Sequence, residues 1–310
     1  MVALLNCGLL MRSACALGLA LWLQPAAAQQ PYPARPITLI VAFAPGGVAD
    51  GVARIFGQKL GERLGQRVSI ENRGGAGGNL AAKMVAAAEP DGHTLLVTTT
   101  AVAINETLYK HKGYETADLR AIAIAASTPE VIIVNANNPA RTLTDLLAAA
   151  RSKSISFGSA GVGSGSYIAA EFFFKKLARV EATHIPFQGG APALNALMGN
   201  HIDVLATSLP PAVSQINQGL LRGVGIASPQ RSPVVPEVPT FAEGGFPQFL
   251  ASSWVAFLAP ARTDAAIVRA LNAAIQESLR EADVQAKLKA LGFETLFNSG
   301  AETEALFKSE

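Results

Sequence analysis

Cysteine, histidine and charge are all scarce in this 310-residue chain, and each scarcity removes a class of function. The two cysteines, Cys7 and Cys15, both fall within the first 28 residues. A chain cut after that segment holds no disulfide, no thiolate nucleophile and no cysteine metal site. The four histidines, His93, His111, His184 and His201, are scattered, with no pair at helical spacing and no HExxH. Neither a metal site nor a zinc hydrolase is expected. Charged residues make up 15% of the chain and the net charge is +2, without a basic run or aromatics interleaved with Lys and Arg. Nucleic acid is therefore not expected as a partner. Nucleotide motifs are missing too. A GxGxxG beginning at Gly75 or Gly161 would need glycine at position 80 or 166, where Leu80 and Ser166 stand, and there is no Walker pattern, so no cofactor is expected.

Long apolar runs are also absent, apart from residues 1–28. Arg12 is the only charge there, and Ala14 to Leu23 has the length of a signal-peptide core. Pro25 breaks it, and Ala26-Ala27-Ala28 offers a small-residue cleavage site. The core is short for a membrane span of about 20 residues. Export with cleavage near Ala28 is expected, with Met1 and Met11 both open as the start. Only Arg12 of the 25 basic residues leaves, so the balance against 23 acidic residues stays near neutral. An exported, periplasmic, globular chain follows, half of it apolar.

What the chain does have is apolar strands that run into glycine turns. Ile37 to Phe43 is a near-continuous apolar run suited to a strand buried on both faces. Pro45-Gly46-Gly47 breaks it, and Val48, Val52, Ile55, Phe56 and Leu60 then fall on one helical face. Such a turn presents bare N–H groups at a helix start, a ready anion site, though an ordinary β-turn-α connection has the same pattern. Further strands are expected at 68–70, 94–99, 119–126, 131–134, 155–159, 182–186, 202–206, 221–227 and 253–258. Helices are expected at 79–88, 143–151, 167–177, 191–198, 212–218, 265–279 and 284–291. This alternation indicates an α/β class with parallel sheets. The segments near Pro129–Val134 and Ala251–Leu258 follow breaks instead of full crossovers, so they are expected to cross between two lobes. Ligands of open α/β sheets bind beyond the carboxyl ends of strands, and two facing lobes make a cleft.

Loops 44–50, 98–102, 159–165, 187–191 and 207–211 are rich in small polar residues and backbone donors. Ser164 is placed to cap the following helix, and Asp50 to complement a helix dipole. Gln188 reads equally as a ligand contact or as a solvated turn residue, and His184 as a core residue. Together the loops favour a carboxylate site built from neutral donors and helix starts.

The stretches YPARPITLIVAFAPGGVAD (32–50), ENRGGAGGNLAA (71–82), EPDGHTLLVTTT (89–100), FGSAGVGS (157–164), HIPFQGGAPALNALMGNHID (184–203), ASPQRSPVVPEVPTFAEGGFP (227–247) and SSWVAFLAPARTD (252–264) span nearly all of the chain after residue 28. By them the chain resembles the tripartite tricarboxylate transporter substrate-binding proteins, the Bug receptors. The resemblance implies a two-lobed periplasmic binding protein fold, with a mostly parallel sheet flanked by helices in each lobe and two crossing hinge strands. It places lobe 1 at 29–128 and 253–310 and lobe 2 at 129–252. It implies a monomeric solute receptor, not an enzyme, that binds a small organic carboxylate and serves transporter membrane subunits. The binding set it implies is Phe43, Ala44, Pro45, Gly46, Gly47, Val48 and Asp50 from the first loop and Thr99, Thr100 and Ala101 from the third strand. Facing them are Ser159, Gly163, Ser164, Gln188, Gly189, Ala191, Thr207 and Ser208. No metal and no cofactor belong to this set.

Four departures stand out. Thr207 replaces a common Asp, Gln188 a common Lys or Arg, and Glu106 a common Pro, and the sequence stops at Glu310 inside the final helix. With an acid and a cation gone from the facing loops, a plain mono- or dicarboxylate is expected over an amino acid, whose ammonium needs a partner. The rivals are an α/β hydrolase or transferase using Ser159 or Ser164, and a receptor feeding a membrane sensor. The ligand's identity is not legible.

Overall fold

The apolar runs become strands and the periodic stretches become helices, in alternation, over residues 32–309, which the computed structural model describes. The expected signal segment lies outside the described residues. β1 (Ile37–Val41) is almost wholly buried, as its two-faced apolar run requires. It leads into α1 (Val48–Leu64), which ends at Gly65 in the left-handed conformation. β2 (Val68–Asn72), α2 (Asn79–Ala86), β3 (Thr94–Thr99) and α3 (Ala101–Leu108) follow. β1 pairs in parallel with β2 on one side and β3 on the other.

The next strand, β4 (Leu119–Asn135), joins the two expected strands at 119–126 and 131–134 into one of 17 residues. Thr128, Pro129 and Glu130 had read as a break, but they stay extended because partners continue on both sides. β9 (Ser252–Pro260) pairs antiparallel with residues 119–129, and β7 (Val204–Ser208) with residues 130–134. α4 (Leu143–Ser152), β5 (Ile155–Ser159), α5 (Gly165–Glu171), β6 (Ala182–Pro186) and α6 (Gly190–Met198) build the second half. α7 (Val213–Asn217) and β8 (Leu221–Ile226) complete it. α5 runs on as a π-helical stretch, Phe172–Leu177. α8 (Ala265–Leu279), α9 (Ala282–Ala290), the short β10 (Glu294–Thr295) and α10 (Gly300–Ser309) return to the first half.

The strand order is β2-β1-β3-β9-β4-β7-β5-β6, with β8 and β10 also on β4. Each half holds three parallel strands, as the alternation predicted, and the crossing strands β4 and β9 are antiparallel additions. The second half closes on a phenylalanine core. Phe173 is fully buried, with its ring 4.7 Å from Phe241, 5.0 Å from Phe246 and 5.1 Å from Phe249. Among the described residues no helix is long and apolar enough to cross a membrane, and no cluster of His, Cys, Asp or Glu could hold a metal ion.

Phe173→Ala removes the ring that Phe174, Phe241, Phe246 and Phe249 pack against, and a cost of about 3–5 kcal/mol is expected. Urea unfolding followed by tryptophan fluorescence measures it; a midpoint equal to that of the wild type contradicts this packing.

Candidate functional site

The loop from β1 to α1 is fixed by an acid. Asp50, 3% exposed, accepts from the Gly46 N–H at 2.9 Å, from Arg54 Nε at 2.9 Å and from Asn72 Nδ2 at 3.0 Å. Asn72 Nδ2 also donates to the Phe43 carbonyl at 2.9 Å. Burial would raise the Asp50 pKa, but these donors outweigh it and hold the carboxyl below its ordinary value. The Asp50 carboxylate and the Gly46 N–H, both in the expected binding set, bond each other within the loop. Gly46 adopts φ +79°, which the turn requires of a glycine. No side chain caps α1, so the N–H groups from Gly47 onward remain as donors at the positive end of a 17-residue helix.

Those donors open onto a cavity of about 30 Å³ between the two halves. Of the expected residues, Phe43, Gly47, Val48, Thr99, Ser164, Thr207 and Ser208 line it. Ala49, Ala160, Gly165, Ser166, Gly190 and Ser253 join them unforeseen. The remaining expected residues lie beside the cavity, several of them in contacts across the seam. The Ala44 N–H donates to the Gln188 carbonyl at 3.0 Å, and a Cβ on Gly189, at φ +155°, would lie 3.2 Å from Ala44 Cβ. Ala191 Cβ lies 3.3 Å from the position a Cβ on Gly46 would take. A Cβ on Gly163, at φ +89°, would meet Asn105 Oδ1 at 2.1 Å, and Tyr109 donates to the Val162 carbonyl at 3.1 Å. Pro45 lies in the turn itself, Thr100 contacts Ser253 and Ala101 opens α3. Gln188 lines a separate recess of about 260 Å³ near Gly75–Gly78. A larger groove of about 700 Å³ lies along 228–234 and 292–295, away from the ends of β1 and β5. The 30 Å³ space holds one or two waters, so an organic acid enters only if the halves part.

A sequence model described as the tripartite tricarboxylate transporter family receptor matches residues 52–310. The chain belongs to that family. A protein from the tcbD–tcbE intergenic region of Pseudomonas sp. strain P51 is 37% identical over 283 residues, covering 90% of this chain and 84% of its own. BugT of Bordetella pertussis is 33% identical over 284 residues, covering 90% and 87%. MatC from Rhodopseudomonas palustris, solved with bound malate, superposes with a TM-score of 0.84 at 33% identity over 90% of this chain and 97% of its own. An R. palustris protein solved with adipate gives 0.86 at 30% identity over 90% and 94%.

The family and its solved members are solute-binding receptors, and a Ser–His pair in this chain has to be read against that. Ser159 Oγ lies 2.7 Å from His184 Nε2, the spacing of a hydrolase dyad. Ser159 is fully buried, however, and already accepts from the Gly161 N–H at 3.1 Å. His184 is packed between Phe157 and Tyr167, its pKa lowered first by burial, with no carboxylate hydrogen-bonded to it among the described residues. The pair fixes the loop. Ser164 caps α5 as expected, accepting from the Tyr167 N–H at 3.2 Å and donating to the Gly161 carbonyl.

The structure also shows an acid that loop reading missed. Glu130, on β4, is 4% exposed beneath Ser208 and Ser253, and burial pushes its pKa up to about 7. Its signal was present: a lone acid inside the apolar run of a buried strand needs a reason.

Asp50→Asn should lower stability by about 1–3 kcal/mol at neutral pH, since the loop's donors lose their charged acceptor. The folded pKa is lowered, so this contribution is present above the ordinary aspartate value of 3.8 and is lost as pH falls through the folded pKa. Thermal unfolding of both proteins from pH 3 to 7 checks it. The two curves should converge in acid, and a constant gap would contradict this role.

Proposed function

We propose that this protein is a periplasmic solute receptor that binds a small organic carboxylate in the cleft and delivers it to the membrane subunits of a tripartite tricarboxylate-type transporter. The described parts of the two expected lobes are residues 35–128 with 253–309, and residues 129–252, moving about β4 and β9. The observation that carries the reading is the uncapped start of α1 facing Ser164, Thr207 and Ser208 across one cavity. First-turn N–H groups bind one carboxylate, and hydroxyls from the other half complete its hydrogen bonds. Malate and adipate, held by two relatives, are acids of this class.

A plain carboxylate is favoured over an amino acid. Asp50 is consumed by Gly46, Arg54 and Asn72. Glu130 Oε1 is already taken by the hydroxyls of Ser253 and Ser208. Arg54 is paired to Asp50 and Lys59 to Glu281, so neutral groups carry the recognition.

Gly47→Val tests the site. A Cβ there meets nothing closer than the Ala44 carbonyl at 3.4 Å, so the backbone accepts a side chain, and thermal unfolding of the variant confirms that it folds. Valine methyls then stand in front of the first-turn donors. Losing one charge-assisted hydrogen bond weakens binding about 10- to 150-fold. Calorimetry with a panel of malate, succinate, aspartate and adipate measures this, and wild-type affinity in the variant for the tightest of them would remove the loop from the site.

A further inference from the structure

Glu130 sits where the two halves meet. Its N–H donates to the Ala251 carbonyl at 2.9 Å, and the β4–β7 register places it opposite Ser208. Its Oε1 accepts from Ser253 Oγ at 2.6 Å and from Ser208 Oγ at 3.0 Å. Its Oε2 is buried with no partner among the described residues. Ser253 Oγ is in turn 3.2 Å from Thr100 Oγ1. Gly165 closes over this group. A Cβ on it would lie 2.3 Å from Ser253 Oγ, 2.9 Å from Thr100 Oγ1 and 3.2 Å from Glu130 Oε1. Thr100 and Ser253 belong to the first half and Gly165 and Ser208 to the second, so the carboxyl is covered only when the halves are together.

No cation faces it. β7 and β9 carry no charged residue. Arg222, on β8, donates to the carbonyls of Ala136, Asn138 and Ala140. Glu171 of α5 pairs with Lys175, Glu106 of α3 with Lys112, and Asp50 of α1 with Arg54. Arg120 lies at the far end of β4 and bonds the Thr263 carbonyl, and Glu294 on β10 is opposite Ser127. Burial is the largest influence on Glu130, two serine hydroxyls offset it in part, and no charged group contributes.

We propose that closure of the cleft requires a proton on Glu130, so that ligand capture by this receptor is proton-linked. The inference rests on the receptor reading above. With the halves parted, Gly165 leaves Thr100 and Ser253, water reaches the carboxyl, and it ionises as an ordinary glutamate. Closing strips that water, and a carboxylate with no cation beside it is costly. A solvent proton on Oε2 removes the charge and keeps a second negative group from beneath the ligand's carboxylate. The closed-state pKa of about 7 stands above the ordinary value of 4.5. Below about 4.5 both forms hold the proton and pH has no effect. Between the two values each pH unit disfavours closure by up to about tenfold, and above about 7 the effect levels off.

Small-angle scattering of the ligand-free full chain from pH 4.5 to 8.5, beside Glu130→Gln, tests this. The wild type should expand as pH rises through the window. Glu130→Gln, neutral at every pH and still able to accept from Ser208 and Ser253, should keep one radius. Identical pH responses in the two proteins overturn the proposal. A ¹³C carboxyl titration of the wild type, saturated with whichever of malate, succinate and adipate binds tightest so that the closed form dominates, is a second readout that does not depend on the variant's folding. One glutamate ionising near pH 7 supports the proposal, and ionisation of every glutamate below pH 5.5 overturns it. Calorimetry with malate and succinate at pH 5.5 and 8 separates the two readings. Binding with the same pH dependence in both proteins removes the proton link alone. A pH-dependent radius with neither acid bound supports the link and removes malate and succinate as its ligands.

Discussion

The pairing of β4 with β9 holds the architecture together. β4 is long enough to lie in both sheets, taking β9 along residues 119–129 and β7 and β8 along residues 130–135. In the sheet, the parallel triplets β2-β1-β3 and β7-β5-β6 are joined through this crossing. Their carboxyl ends then face one another, and the loops that leave β1, β3, β5 and β7 meet in a single seam. A few residues at a strand crossing can absorb a hinge rotation while each packed core stays intact.

The seam is built for close approach. Gly46, Gly161, Gly163 and Gly189 have positive φ, and Gly163, Gly165 and Gly189 stand where a side chain would strike the other half. Charges are tied up before they reach it, Asp50 by its own loop and Arg54 by Asp50. The lining is left with backbone N–H groups and the hydroxyls of Ser164, Ser166, Thr207, Ser208 and Ser253. Preorganised neutral donors are suited to an anion because no facing cation has to be desolvated.

Much of this was legible in the sequence, for identifiable reasons. Ile37–Val41 and Ser252–Pro260 are apolar on both faces, so burial dictates strand whatever their neighbours do. The glycine turn after β1 announced a helix start with free donors. The continuity of β4 was not legible, because Thr128, Pro129 and Glu130 look like a break until partners on both sides are known. Helix α3 was missed because Thr98-Thr99-Thr100 has poor helix propensity, and the helix begins directly after it. Among the expected site residues, Gly47 and Ser208 line the cavity, whereas Ala44, Gly163 and Gln188 make contacts across the seam or in a neighbouring recess. Both roles favour small residues and backbone groups, so composition alone does not separate them. Ser253 and Glu130 lie on strands and not on loops, outside the places where a loop-based reading looks.

The central claim is that the cleft captures a small carboxylate and returns it unchanged. Native mass spectrometry of the protein purified from the periplasm, followed by mass analysis of what it releases on denaturation, tests this most directly. The account predicts one small organic acid per chain, recovered intact and able to rebind. Release of a chemically altered product, or of a ligand without a carboxylate, would contradict it.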